Sequence, residues 1–329
     1  MTPPPAPVHQ LGGRRLPAPD YQPGGRRLPA PVYQPGGRRL LAPVYQPGGR
    51  RLLAPAIAAL ALWMVVPLAM TLWFSFQRYN LLTPQVSGFA GAANYTSLFA
   101  DPALWTSIAN TVVLVGSVLL LSIVAGLVVA AIFDEPFFGR RTARLLVVAP
   151  FFVMPTVGAL IWKNLLMHPV NGLFAAAARG LGMPAVDWFT DWPMASIVLI
   201  VAWQWTPFAI LIFLTSMQSI DPSIREAALL DGAGWRDQFR YLVLPHVRRA
   251  IGIVAMVEAI FLLTVFAEIL VTTSGGPGLA TTNLAFFIYI KALLQYDVGM
   301  ASAAGVIAIV LANGIAFFFM RTVSRTIDV

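Results

Sequence analysis

Long stretches of the chain show neither helical nor strand alternation and are instead apolar on every side. Residues 52–77 and 102–133 carry no charge, and 298–320 is likewise uncharged. A further run lies between Arg144 and Lys163, and another within 194–217, bounded by Asp191 and Asp221. A sixth, 250–272, holds two carboxylates, Glu258 and Glu268. A helix needs about 20 predominantly apolar residues to cross about 30 Å of hydrocarbon. The pattern therefore predicts an all-α polytopic membrane protein with six transmembrane helices, the first at 53–76 and the second near 108–132. Pro67, Pro150 and Pro207 fall inside these runs, where neighbouring helices can satisfy the freed carbonyls.

The joining segments differ in length and pattern. The segments 77–107 and 164–193 are long, the first marked for turns by Gly88, Gly91 and Asn94-Tyr95, the second carrying Trp188 and Trp192, residues suited to a membrane interface. The segment 133–143 is short. The segment 218–249 is long, charged and strongly patterned.

Composition agrees with the membrane reading. Of 329 residues 58% are hydrophobic and 11% charged, with mean hydropathy +0.73, against about a quarter charged in soluble domains. The net charge of +8 comes from one end: residues 1–52 hold eight arginines and one acid, Asp20, whereas the remainder has fourteen basic and thirteen acidic residues. Nucleic-acid binding is therefore not expected of the body. Basic residues also set the orientation. With a cytoplasmic N-terminus, eighteen of the twenty-two Lys and Arg are inside, leaving Arg78, Lys163, Arg179 and Lys291 outside. Both termini are expected in the cytoplasm, with 321–329 as a short tail there.

The first 52 residues repeat Gly-Gly-Arg-Arg-Leu at 12–16, 24–28, 36–40 and 48–52. Twelve-residue units rich in Gly, Pro and Arg bury nothing, so disorder is expected. As a polybasic arm the segment would touch anionic lipid; as a tandem duplication or an upstream start ahead of the protein proper it would carry no role, and the latter is the expectation. The apolar run after the paired arginines is too long for a cleavable signal and is read as a span that stays.

Several chemistries have no seat. There is no cysteine and hence no disulfide, thiol nucleophile or cysteine metal site; the three histidines, His9, His168 and His246, form no H-E-x-x-H. No catalytic residue and no metal ligand is expected. A Walker A loop needs Gly-Lys-Ser/Thr, and neither Lys163 nor Lys291 follows a glycine.

The segment 221–245 is the most informative. Asp221 is a good N-cap and Pro222 a good first helical residue; Gly232 can end that helix in the left-handed conformation. A second short helix is predicted from Trp235 to Val243, stopping ahead of Pro245. Ile224, Ala227, Ala228 and Asp231 share one face at helical spacing. Two short helices about a glycine bend would make a plug for a groove on another protein.

Glu226-Ala227-Ala228, then Asp231-Gly232-Ala233, an aromatic at Phe239, and Leu244-Pro245 resemble the EAA signature of permease subunits of binding-protein-dependent ABC importers, of the carbohydrate-uptake MalF/MalG-like family. Arg249 departs from a proline common there. The resemblance covers roughly 104–320 and includes Trp105, Asn110-Thr111, Gly275-Gly276-Pro277 and Thr281. The runs from Phe266 to Leu284 and from Asp297 to Ala303 are similar to the polyol (sorbitol/mannitol) branch. It implies an ABC importer type I transmembrane domain, 104–320, preceded by a first helix and external loop, 53–103. It also implies a second homologous permease, an ATP-binding cassette ATPase dimer that uses ATP and Mg, an extracytoplasmic solute-binding protein, and no cofactor on this chain. A disaccharide or glycerol phosphate is the alternative cargo. A secondary transporter is the rival class; it should show repeated halves with short broken spans and has no use for such a loop.

For the solute path, Gln204 and Trp205 offer an amide and an aromatic face, the groups polyhydroxylated solutes need. Glu258 and Glu268 are carboxylates in a span, which usually face a cavity or a partner. Ten residues apart on one helix, they would be separated by about 15 Å of rise.

Overall fold

The computed structural model describes residues 49–327. The repeats before Gly49 and the last two residues lie outside this range. The chain divides into two compact units, 1–57 and 58–329. Of the first, only the opening of helix α1 (Gly49–Ser75) is described, and it begins four residues earlier than the predicted start at 53.

Helix α1 is exposed along its apolar length. A two-residue antiparallel ribbon follows, β1 (Gln77–Arg78) with β2 (Gly88–Phe89), then α2 (Ala93–Ala100). Asn94 of α2 is buried and donates to the carbonyls of Ser75 and Gln77, both at 2.9 Å. Asp101 caps α3 (Pro102–Asp134) by accepting from the Ala103 N–H at 2.9 Å. With 33 residues, α3 is about 50 Å long, more than a bilayer core requires.

The third apolar run is not one helix. It forms α4 (Arg140–Val148), a 3₁₀ turn at Ala149–Phe152, and α5 (Pro155–Ile161) continued by a π turn at Trp162–Leu166, with the two halves bent by 109°. Val153 and Met154 are extended, as residues before a proline prefer, and this places the corner before Pro155. Short helices α6 (Leu173–Gly180) and α7 (Trp188–Asp191) lead to α8 (Pro193–Met217). Helices α3 and α8 lie against each other, and at Gly126 a β-carbon would stand 2.8 Å from that of Ala209. Two clusters fill this seam, one around Leu114, Val118, Ile197 and Val201, the other around Ala130, Ala209, Phe213 and Leu214.

After α9 (Pro222–Leu230), the chain turns into α10 (Trp235–Gln238), a π turn at Phe239–Val243, and α11 (Leu244–Leu262) without interruption. The predicted stop ahead of Pro245 is corrected. The Leu244 N–H bonds the Phe239 carbonyl, five residues back; the widened turn gives the Pro245 ring room beside the preceding backbone.

The fifth apolar run is also broken, between α11 and α12 (Ala267–Thr272), where Phe266 leaves helical geometry. Asn283, N-cap of α13 (Leu284–Tyr289), donates to the Val265 carbonyl in that break at 2.6 Å. Lys163 Nζ caps α12 by donating to the carbonyls of Val271 (3.0 Å) and Thr272 (2.7 Å). A π turn at Ile290–Leu294 leads to α14 (Val298–Ile327). Small residues bring this helix close to its neighbours: Ala301 is buried, and a β-carbon at Gly305 would stand 3.7 Å from Thr71. Among the described residues four helices are long and apolar enough to cross a membrane, and the bent pair makes a fifth crossing when taken together.

Candidate functional site

Two places concentrate the residues singled out from the sequence. The first is the elbow made by α9 and α10. Asp221 accepts from the Ser223 N–H at 2.9 Å, which closes the start of α9 and holds the Asp221 carboxyl below its usual pKa. At the other end Gly232 has φ +79°. Its N–H bonds Leu229 O at 3.0 Å and that of Ala233 bonds Ala228 O at 2.9 Å. These two bonds make a Schellman cap, which satisfies the last carbonyls and turns the chain. Gln238 then donates to Ala233 O at 3.0 Å, and Trp235 stacks on Phe239 with centroids 5.5 Å apart. The bend is thus closed entirely from within.

What the elbow presents is a mixed face. Glu226, Ala227, Asp231, Leu244 and Pro245 are exposed, as are Ile224, Leu229 and Leu230, while Ala228 and Ala233 are half-buried. Of the predicted stripe only Ala228 is partly covered. Arg225 fastens the elbow to the bundle: it pairs with Asp134 at the end of α3 at 2.6 Å and donates to the Met217 carbonyl at the end of α8 at 2.8 Å. Sequence reasoning missed this clamp, because Asp134 lies some ninety positions earlier and nothing local marks the two as partners.

The second place is a cavity of about 490 Å³. Gln204, Trp205 and Glu268 all line it, together with Phe151, Phe208 and Phe261. Trp205 meets Phe151 edge-on at 5.9 Å and Phe261 at 5.3 Å. Gln204 donates to the Val153 carbonyl at 2.8 Å, so the corner of the bent third run is held by the same side chain that faces the cavity. The break before α12 brings Glu268 to this wall. Trp203, next to Gln204 in sequence, points elsewhere, against Trp162 at 5.8 Å.

Glu258 does not line this cavity with Glu268. It is fully buried and bonded to Ser122 of α3, with Oε1 unpartnered. The two carboxylates lie on different helices, so the rise along one continuous helix does not describe their separation. The aromatic wall around Trp205 was also missed, since Phe151 and Phe261 come from other elements; only Phe208, three positions on along α8, was accessible from spacing.

A helical bundle with a largely aromatic cavity that holds an amide and a carboxylate, and with a self-capped elbow at the end of α3 and α8, defines a multi-pass membrane protein. Residues 122–329 match the binding-protein-dependent transport system inner membrane component. The chain belongs to that family, and it is a multi-pass inner-membrane protein. It is 33% identical over 79% of its length, and 85% of the relative, to a probable ABC transporter permease protein, y4oQ, of Sinorhizobium fredii. It is 31% identical to the sulfoquinovosyl glycerol permease SmoG of Agrobacterium fabrum, over 83% of this chain and 89% of that one. With the trehalose/maltose permease MalF of Thermococcus litoralis it shares 29% over 80% and 90%. In fold it matches a chain of a bacterial ABC transporter that imports alginate, with TM-score 0.72, 22% identity, and 84% and 94% of the two chains covered.

Proposed function

We propose that the chain is one permease of an ATP-driven importer that passes a sugar or polyol, delivered by a binding protein, through the inner membrane. In this reading α4–α5 and α11–α12 are the third and fifth of six spans, and both termini are cytoplasmic. A second homologous permease completes the path, and a separate ATPase dimer binds ATP and Mg. The α9–α10 elbow seats in a cleft of that ATPase, with Glu226 offering a charge-assisted bond to a basic group there. Closure of the ATPases moves the elbow and rocks the spans. Such coupling works only if nucleotide and solute each favour one of two global states.

The observation that carries the reading is the elbow itself. Its internal bonds and the Arg225 clamp make it stiff, while Ile224, Leu229 and Leu230 are exposed apolar side chains. A carbohydrate-like cargo is supported by the amide, carboxylate and indole around the cavity, since polar groups bond hydroxyls and aromatic faces cover apolar sugar faces. Related permeases are named for sulfoquinovosyl glycerol, trehalose/maltose and sn-glycerol-3-phosphate, all rich in hydroxyls. The sorbitol/mannitol assignment rests on the runs 266–284 and 297–303. A solved alginate transporter was captured with a pentasaccharide-bound periplasmic protein, which is the kind of delivery partner proposed. The test is uptake by proteoliposomes holding the chain and its co-purifying subunits, given sorbitol, mannitol, maltose and glycerol phosphate. ATP-dependent uptake of one of them is expected; uptake driven by an ion gradient without ATP would refute the proposal.

A further inference from the structure

Helix α4 opens under electrostatic strain. Its N-cap Gly139 has φ +79°, offers no side-chain cap, and is followed by two arginines with no acid in the first turn. A helix N-terminus is already positive, so cations there are unfavourable. Among the described residues no carboxylate forms an ion pair with Arg140, Arg141 or Arg144, and Glu135, between α3 and α4, is exposed. Arg144 donates to the Phe133 carbonyl at 3.0 Å. With its amide turned so that both ends are satisfied, Gln218 accepts from Arg144 at 2.9 Å and from Arg140 at 3.0 Å. These acceptors are neutral, and the nearby carboxylate of Asp134 is engaged by Arg225. The Nε atoms of Arg140 and Arg144 are buried and without a partner.

These arginines line a groove of about 540 Å³ whose remaining walls are apolar: Arg140, Arg141 and Arg144 at one end, then Leu145 and Val148, with Leu211 from α8. Arg141, Leu145 and Val148 fall at i, i+4, i+7, so one helix face runs from cationic to apolar. Phe138, just before the helix, is fully exposed, and Leu145 and Leu146 are exposed too, as suits a segment embedded at the headgroup boundary. The groove lies by the end of α3, where the polar ends of the spans begin.

We propose that this groove binds an anionic phospholipid, its phosphate held by Arg140, Arg141 and Arg144 and an acyl chain laid over Leu145, Val148 and Leu211. Free phosphate shares the headgroup chemistry but has no use for the apolar walls.

The test uses the full chain with its co-purifying subunits in nanodiscs of equal phosphatidylglycerol and phosphatidylcholine, followed by native mass spectrometry of retained lipid. Preferential retention of phosphatidylglycerol is expected, reduced about tenfold or more in the double variant Arg140→Gln/Arg144→Gln and unchanged in Arg236→Gln. Arg141→Gln, at an exposed position, serves if the double variant does not fold. In the unmodified chain, phosphatidylglycerol with a diazirine in the acyl chain should label peptides holding 145–148 or 211. Equal retention by all variants, or label spread evenly over the spans, overturns the proposal. So does displacement of the lipid by millimolar inorganic phosphate, which would assign the arginines to a free anion.

Discussion

Arg225 holds Asp134 at 2.6 Å across the junction between α9 and the end of α3. Because the same guanidinium also bonds the end of α8, one side chain ties the elbow to the two helices that form the central seam. In the proposed mechanism a displacement of α9 would be passed to α3 and α8 together.

Arg225→Ala should uncouple the elbow from that seam. The pair is partly exposed, so its loss is expected to cost about 1–2 kcal/mol, above a surface ion pair and at the lower end for charge-assisted bonds. Uptake should fall about tenfold or more while ATPase subunits still co-purify, the size of a typical coupling energy. Lys at 225 should restore little, since one ammonium cannot reproduce the planar fork that meets Asp134 and Met217 at once. ATP-driven uptake and co-purification, measured on the same preparations, check this; loss of both together would mean that Arg225 only supports the fold.

Gly232→Pro and Glu226→Lys should both abolish uptake while the protein still inserts, for different reasons. Proline removes the N–H that bonds Leu229 O and cannot adopt φ +79°. Gly232→Ala keeps the N–H and pays only the left-handed penalty of about 1–2 kcal/mol, so partial uptake is expected. Glu226 is exposed, and its reversal should leave the unfolding temperature unchanged while weakening ATPase association. Normal uptake by both Gly232→Pro and Glu226→Lys would remove the elbow from the coupling route.

How far these features could be read in advance depends on range. Uninterrupted apolar runs mark α1, α3, α8 and α14, because burial in lipid leaves no periodicity to misread. Asp221, Pro222 and Gly232 delimit α9, because capping is local chemistry written within four residues. The corner at 153–155 was invisible: an apolar run looks alike whether straight or folded by 109°, and Pro155 alone does not tell a kink from a turn-back. The break before α12 was hidden for a related reason, since its freed Val265 carbonyl is satisfied by Asn283, eighteen positions on. Pairings such as Arg225–Asp134 and Glu258–Ser122 become visible only when α3 is packed in place.

The two membrane carboxylates should therefore separate in kinetics. Glu268→Gln alters the cavity wall and is expected to raise the apparent KM for the solute with the protein still folded. Glu258→Ala removes a buried side chain and leaves Ser122 only the Leu119 carbonyl at 3.3 Å, a loss of about 2–4 kcal/mol, mostly by cavity formation. Its KM should hold in whatever fraction folds. Uptake against solute concentration, beside thermal unfolding in detergent, distinguishes the two. A raised KM for the Glu258 variant and none for the Glu268 variant would reverse the assignment.

The seam between α3 and α8 admits a stricter check at Gly126, where an added side chain would meet one residue of α8 before any other. A β-carbon at Gly126 would stand 2.8 Å from that of Ala209 and 3.2 Å from the Phe213 ring. Small residues permit such approach of membrane helices, whose association depends on van der Waals packing rather than on water. Gly126→Ala should cost about 1–3 kcal/mol as overpacking, and Gly126→Val more. Removing the opposing atom with Ala209→Gly should return part of that loss in the double variant, leaving the share owed to Phe213. The two sites touch, so a coupling of about 0.5 kcal/mol or more is expected from the double-mutant cycle, read from unfolding in detergent. Strict additivity would mean that α3 and α8 do not meet at these residues.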